Sequence, residues 1–158
     1  MSDYYPLKRG QTRRYRSRAP GEPQAEYTVE TISVTSVPRG PASATMRNVV
    51  HTRPPRVSEY EVDKNDAGVF ERGEKALPLP PRVGAAWDAG GRAYEIVADR
   101  EVVSTPAGLF IDCLKVQYLI AGGDAGSGAR YYAPGVGLVK EECADEADPF
   151  VAELVALR

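Results

Sequence analysis

From Leu109 to Ile120 the chain alternates with a period of two. Phe110, Leu114, Val116, Tyr118 and Ile120 share one parity, while Lys115 and Gln117 hold the other. Side chains of an extended strand point alternately to opposite faces, so this rhythm predicts a strand with one face buried. A helix would need its apolar positions three and four apart, and it accommodates runs of β-branched and aromatic residues poorly. Thr105-Pro106-Ala107-Gly108 in front and Gly122-Gly123 behind close the run at both ends. A strand this long must be covered on both edges by neighbours, and the rest of the chain offers strands to do it.

Taken in order, Thr12–Arg18 reads as a short edge strand in which arginines discourage pairing with other chains. Glu26–Val37 is rich in β-forming residues, and the phase slip between Val29 and Ile32 predicts a bulge. Ala44–Thr52 follows, with Met46 and Val50 on one face, and then Arg56–Val62, which returns through the Lys64–Gly68 turn to Val69-Phe70-Glu71. In the second half, Trp87-Asp88 and Arg92–Ala98 flank an Ala89-Gly90-Gly91 hairpin turn, and Glu101–Ser104 leads into the central strand. Tyr131-Tyr132 and Leu138–Cys143 surround Pro134-Gly135-Val136-Gly137. Phe150–Leu157 fits a closing strand, with a short helix after Pro149 as the alternative. The 15 glycines and 13 prolines suit many short strands joined by turns. The expectation is one all-β domain over residues 1–158, a curved antiparallel sheet, half-barrel or barrel of about ten to twelve strands with little helix. Pro6-Leu7-x-x-Gly10 before Tyr15 parallels Pro80-Pro81-x-x-Gly84 before Trp87, which suggests two similar halves, 1–75 and 76–158.

Charge is distributed unevenly. Lys8–Arg18 carries six cations and Glu141–Glu153 six carboxylates, although the formal net charge is only −2. Two oppositely charged surfaces lying near each other are expected. Cys113 and Cys143 fit either one disulfide or two reduced thiols, with reduced thiols favoured because the opening Met1-Ser2-Asp3-Tyr4-Tyr5-Pro6 has no apolar h-region. The same opening gives a cytoplasmic expectation, and no apolar run is long enough to span a membrane as a helix.

No motif carries chemistry. Gly122–Gly128 lacks the Gly-Lys-Ser/Thr ending of a phosphate loop and reads as a hairpin connection. His51 is the sole histidine, and no serine sits in a nucleophile elbow. Cys113, Cys143 and His51 form no close ligand pair, so no metal and no cofactor are expected, and no catalytic residue is assigned. The interleaving of Tyr4, Tyr5 and Tyr15 with arginines is the best nucleic-acid signal, set against an ordinary solvated strand. Trp87, Tyr94, Phe110, Tyr118, Tyr131 and Tyr132 are the candidate ligand-binding residues: aromatics on expected strands that either fill a core or line the concave face of a curved sheet.

Three motifs carry a resemblance. Pro80-Pro81-x-x-Gly84-x-x-Trp87, Thr105-Pro106-Ala107-Gly108-x-Phe110-x-x-Cys113-Leu114-x-Val116 and Tyr131-Tyr132-Ala133-Pro134-Gly135-Val136-Gly137-Leu138-Val139 resemble a group of uncharacterised bacterial β-rich domains found in lipoproteins and periplasmic proteins. The likeness covers most of residues 77–143. Such domains are similar in plan to LolA-like lipoprotein carriers, which implies a curved sheet with a hydrophobic concave side and an apolar ligand, and allows the bacterial envelope. The opening residues show neither an apolar h-region nor a lipobox cysteine, so no signal peptide is expected, a departure from the group. The functional expectation is a non-enzymatic binding module with an apolar small molecule or a protein as partner. The alternatives are a scaffold using its oppositely charged surfaces, a hydrolase using His51, and nucleic-acid binding through the arginine-rich opening.

Overall fold

The computed structural model describes residues 2–120 and 126–158. Residues 121–125, where most of the expected Gly122–Gly128 connection falls, lie outside them. Twelve strands follow one another along the chain: β1 (Thr12–Arg18), β2 (Ala25–Ser36), β3 (Ala42–Val50), β4 (Arg56–Asn65), β5 (Gly68–Glu71), β6 (Glu74–Pro78), β7 (Ala86–Ala89), β8 (Arg92–Thr105), β9 (Gly108–Ile120), β10 (Ser127–Ala133), β11 (Gly137–Cys143) and β12 (Phe150–Leu157). No helix occurs among the described residues.

All twelve belong to one antiparallel sheet in the order β6-β5-β4-β3-β2-β1-β12-β11-β10-β9-β8-β7. Each strand therefore pairs with its neighbours in sequence except β6 with β7, and the first pairs with the last. The closing-strand reading of Phe150–Leu157 holds, and β12 seals the sheet against β1 through Tyr15 opposite Leu154 and Arg18 opposite Val151. The two remaining edges, β6 and β7, come together at a seam where Trp87 Nε1 donates to the Lys75 carbonyl at 3.0 Å. The result is a nearly closed barrel. Both edge strands are short, at 5 and 4 residues, which limits pairing with other chains.

The central strand is β9, with Leu114, Val116 and Tyr118 buried as the alternation requires; Cys113, on the other parity, is buried as well, next to Asp112, whose φ of +54 interrupts the regular strand. The slip in β2 is a bulge, visible as a register shift between Thr31 and Ser33 against β3. The acidic and basic segments lie side by side because β1 and β12 are neighbours, and Arg18 Nη2 reaches Glu153 at 2.7 Å.

Three expectations are corrected. β1 is not an edge strand, because it pairs with both β12 and β2. Its arginines do not guard an edge: Arg14 and Arg16 lie within 3.7 and 3.9 Å of Glu26 on β2, and Arg13 turns inward. β6 was not expected as a strand; its Pro78 is tolerated because an edge strand has one side without ladder bonds to lose. Arg92–Ala98 and Glu101–Ser104 are one strand, β8, continuous through three register shifts against β9.

One end of the barrel is crossed by residues 2–11. Lys64 Nζ on β4 donates to Asp3 Oδ1 at 2.7 Å and to the Tyr5 carbonyl at 2.8 Å, and Gly135 N between β10 and β11 donates to the Asp3 carbonyl at 2.7 Å. Tyr4 Oη reaches the Asp112 carbonyl on β9 at 3.2 Å, and Gly10 N reaches the Thr31 carbonyl on β2 at 2.8 Å. Anchored to four parts of the wall, the segment holds Tyr5 inside the barrel.

Candidate ligand-binding cavity

Eight strands enclose a barrel just wide enough for ordinary side chains to fill, and the diameter grows with strand number. A nearly closed sheet of twelve leaves more room, and this chain fills it in two ways. Aliphatic residues, including Met46, Val62, Leu77, Ile96, Leu114 and Leu154, are almost wholly excluded from solvent. Long polar side chains occupy the rest. Arg13 and Tyr15 share the inward parity of β1, and Tyr27, Tyr60, Arg130 and Glu141 project from β2, β4, β10 and β11 around a cavity of about 180 Å³.

The polar groups form defined pairs. Arg130 Nε lies 3.2 Å from Glu141 Oε1, and Tyr118 Oη donates to Glu141 Oε2 at 2.7 Å. Tyr5 Oη donates to Glu71 Oε1 at 2.5 Å, which ties the N-terminal segment to the end of β5. Tyr15 Oη donates to the Leu138 carbonyl at 2.6 Å, and its ring stacks on its cross-strand partner Tyr27 with centroids 5.0 Å apart. The Arg72 guanidinium sits 4.2 Å above the Tyr60 ring.

The Tyr131–Val139 motif has its explanation here. Its turn offers the Val136 carbonyl to Arg13 Nη1 at 3.3 Å and the Leu138 carbonyl to Tyr15. Gly137, at φ +101, stands where a Cβ would collide with that same Arg13 nitrogen. A glycine at this place in the motif lets a guanidinium rest against the strand.

A second depression lies at the seam, around the turns that end β5 and β7. Its volume is about 370 Å³, and it shares Glu71, Arg72 and Arg130 with the interior cavity. Lys75 and Arg92 add two cations there and Glu74 one carboxylate. The cavity's polar contents thus continue to the surface.

The six candidate ligand residues separate. Tyr132 lines the interior cavity, and Tyr94 lines the seam depression. Trp87 stacks on Tyr94 with centroids 5.3 Å apart and an interplanar angle of 8°. Tyr118 is 1% exposed and lies beneath Arg92 and Arg130, with guanidinium carbons 4.6 and 5.4 Å from its ring. Phe110 and Tyr131 are half-buried and line neither space; Lys115 Nζ lies 5.8 Å above the Tyr131 ring. The residues that sequence reasoning missed are Tyr5, Arg13, Tyr15, Tyr27, Tyr60, Glu71, Arg72, Arg130 and Glu141. Arg13 and Tyr15 on one parity of a short strand, with Arg130 and Tyr132 repeating the spacing on another, were the available signal.

The buried interior is mainly apolar, as expected of a curved sheet, but around the cavity it carries a polar patch of arginines, tyrosines and glutamates that the LolA-like resemblance did not imply. Of the opening tyrosines, Tyr5 and Tyr15 are 5% and 2% exposed and offer no face for stacking on bases, whereas Tyr4 is half-buried. His51 is exposed on the outer face, its Nε2 2.7 Å from Thr28 Oγ1. Cys113 and Cys143 are both buried and free. Cys143 is level with Gly128 and through it with Tyr118, five residues from Cys113 along β9, so about 16 Å of strand rise separates them. A disulfide needs Cα atoms within about 7 Å.

Burial raises the pKa of Tyr27, Tyr60 and Tyr132 above the ordinary value of 10.0, so each remains a neutral hydroxyl donor at physiological pH. Burial, and then Asp112 and Glu101, push the Cys113 thiol up to about 11. Groups whose folded pKa is raised ionise first in the unfolded chain. Their contribution is complete below the unfolded values and is lost as pH rises through the folded ones. Stability against urea should hold to about pH 9 and fall steadily above it. Tyrosinate absorbance from these three rings should appear only as the chain unfolds; ionisation near pH 10 in the folded protein would contradict their enclosure.

No family model matches the chain, and no curated protein does. Two solved structures share its fold. One is described as a candidate exported protein with a YmcC-like fold from Bacteroides fragilis, superposing with a TM-score of 0.69 at 14% identity over 100% of both chains. The other is a candidate lipoprotein from Parabacteroides distasonis, with a TM-score of 0.63 at 16% identity over 99% of both. These likenesses define an all-β, barrel-like fold of bacterial proteins. One is described as exported and the other as a lipoprotein, so the cytoplasmic expectation finds no support from them. No helix among the described residues is long and apolar enough to cross a membrane.

Proposed function

We propose that the chain is a non-enzymatic binding protein that holds a small polar molecule inside its barrel. The carrying observation is the cavity of about 180 Å³, walled by strands, open on one side and lined by tyrosines, arginines and two carboxylates. A space meant only to be filled would be lined by aliphatic side chains, because burying polar groups costs free energy unless each finds a partner. Two of the four buried polar side-chain atoms without a hydrogen bond among the described residues, Asn48 Oδ1 and Arg130 Nε, belong to residues of this lining, which is consistent with partners supplied by a ligand.

The non-enzymatic part rests on the chemistry of the lining. No serine, cysteine, lysine or histidine faces the cavity among the described residues, and the two carboxylates already accept hydrogen bonds from Tyr5 and Tyr118. His51 lies on the opposite face of the sheet, bonded to Thr28. An envelope location belongs to the same proposal, supported by the descriptions of the two similar structures. Native mass spectrometry after gentle purification from the source cell tests the binding reading. A bound polar molecule, lost when the chain is denatured, is the expected result. A copurifying lipid would favour the apolar carrier, and a consistently empty protein would count against both.

A further inference from the structure

We infer that the cavity recognises an oxyanion, a carboxylate or phosphate group carried by a small molecule, with Arg13 as its charge partner. The inference rests on the interior being a ligand site and adds the chemistry of what it takes. Arg13 is 5% exposed and lines the cavity. Among the described residues no carboxylate lies within 4.0 Å of it, and its one hydrogen bond is from Nη1 to the Val136 carbonyl at 3.3 Å. A guanidinium carries five N–H donors and stays charged when buried. The other cations of the cavity have closer neighbours: Arg130 Nε lies 3.2 Å from Glu141 Oε1, an ion pair without hydrogen-bond geometry, and Arg72 sits on the Tyr60 ring. Glu71 accepts from Tyr5. Arg13 is the buried cation of this cavity with no carboxylate at ion-pair distance; the charge of Glu71 reaches it only from farther off.

Three further observations converge on the same chemistry. The interior and the seam depression together hold five cations and three carboxylates, an excess of two positive charges in a chain whose formal net charge is −2. Such a concentration of one sign in a low-dielectric recess attracts the opposite charge. The hydroxyls of Tyr27 and Tyr60 face the same space without a protein acceptor among the described residues, and burial keeps them protonated as donors. Gly137 clears the ground for the Arg13 guanidinium, since any Cβ there would strike it. Arginine is suited to this task because its planar fork can give two parallel hydrogen bonds to one carboxylate or phosphate.

The test measures thermal unfolding and isothermal titration calorimetry of the full chain in chloride, inorganic phosphate and succinate at matched ionic strength. Phosphate or succinate should bind saturably and raise the melting temperature above that in chloride. Arg13→Met should weaken that binding by roughly ten- to a hundredfold, the worth of hydrogen bonds to a charged group. The same variant should melt in chloride at or above the temperature of the unaltered chain, because replacing an unpaired buried charge by an apolar side chain removes a desolvation cost. Tyr60→Phe, which keeps the ring under Arg72, should weaken binding less. Absence of saturable binding by either oxyanion overturns the inference. So does undiminished binding by a folded Arg13→Met, or a large loss of stability in that variant, which would make Arg13 a structural group. A neutral polar molecule found by native mass spectrometry would leave the binding reading standing and sink this one.

Discussion

Glu141→Ala is expected to destabilise the protein by about 3–5 kcal/mol, the penalty for removing one partner of a buried ion pair. Glu141 serves two neighbours at once, lying 3.2 Å from Arg130 Nε and accepting from Tyr118 Oη at 2.7 Å. Its side chain is 12% exposed and that of Arg130 is 20% exposed, so water cannot fully replace what is lost. The variant leaves a buried guanidinium without its carboxylate and a buried hydroxyl without its acceptor. For a domain of this size each kcal/mol lowers the melting temperature by roughly 2–4 °C, so a fall on the order of 10 °C is expected. Combining Arg130→Met with Glu141→Leu should recover much of it, since what destabilises is the widowed charge. A single Glu141→Ala variant that melts within a degree or two of the parent would mean the pair is hydrated and the interior open.

Gly128→Ala has the second largest expected effect and involves no charge. A Cβ at this position on β10 would overlap the hydroxyl end of the Tyr118 ring on β9. The ring has nowhere to go. Arg92 and Arg130 lie over it, Tyr94 is tilted against it with centroids 5.6 Å apart, and its hydroxyl is committed to Glu141. Overpacking of this kind costs about 1–3 kcal/mol, and the variant should also disturb the Tyr118–Glu141 bond. Near-ultraviolet circular dichroism, which reports the asymmetric environment of tyrosines, should weaken along with the melting temperature. An unchanged spectrum and an unchanged melting point would place Tyr118 elsewhere.

The architecture was legible wherever one face of a strand is buried in aliphatic side chains and the other is wet. β9 shows this plainly: Leu114, Val116 and Tyr118 point in, and Lys115 and Gln117 alternate with them. The bulge at Ile32 was also legible, because one extra residue shifts the parity of everything after it. β1 misled for the opposite reason. Four arginines around a single tyrosine suggest a strand with no buried face, yet Arg13 and Tyr15 both turn inward in a barrel whose interior is partly polar. Hydrophobic periodicity cannot detect a face whose buried residues are arginine and tyrosine.

The candidate site was legible only in its second-half aromatics, and only in part. Tyr94, Tyr118 and Tyr132 lie at or beside the polar interior, whereas Phe110 lies outside both lined spaces. The missing half of the site comes from β1, β2, β4 and β5, which face β10 and β11 only because β12 closes the sheet onto β1. That closure joins residues more than 120 positions apart, as between Tyr15 and Leu138, and no local pattern encodes it.

The central claim is that arginines and tyrosines line a polar space inside a nearly closed twelve-stranded sheet. Crystallographic density for the barrel interior tests it most directly. The account predicts Arg13 and Arg130 directed inward, with ordered water or a polar molecule in contact with Arg13, Tyr27 and Tyr60. Guanidinium groups turned out to bulk solvent, or an acyl chain filling the space between them, would contradict it.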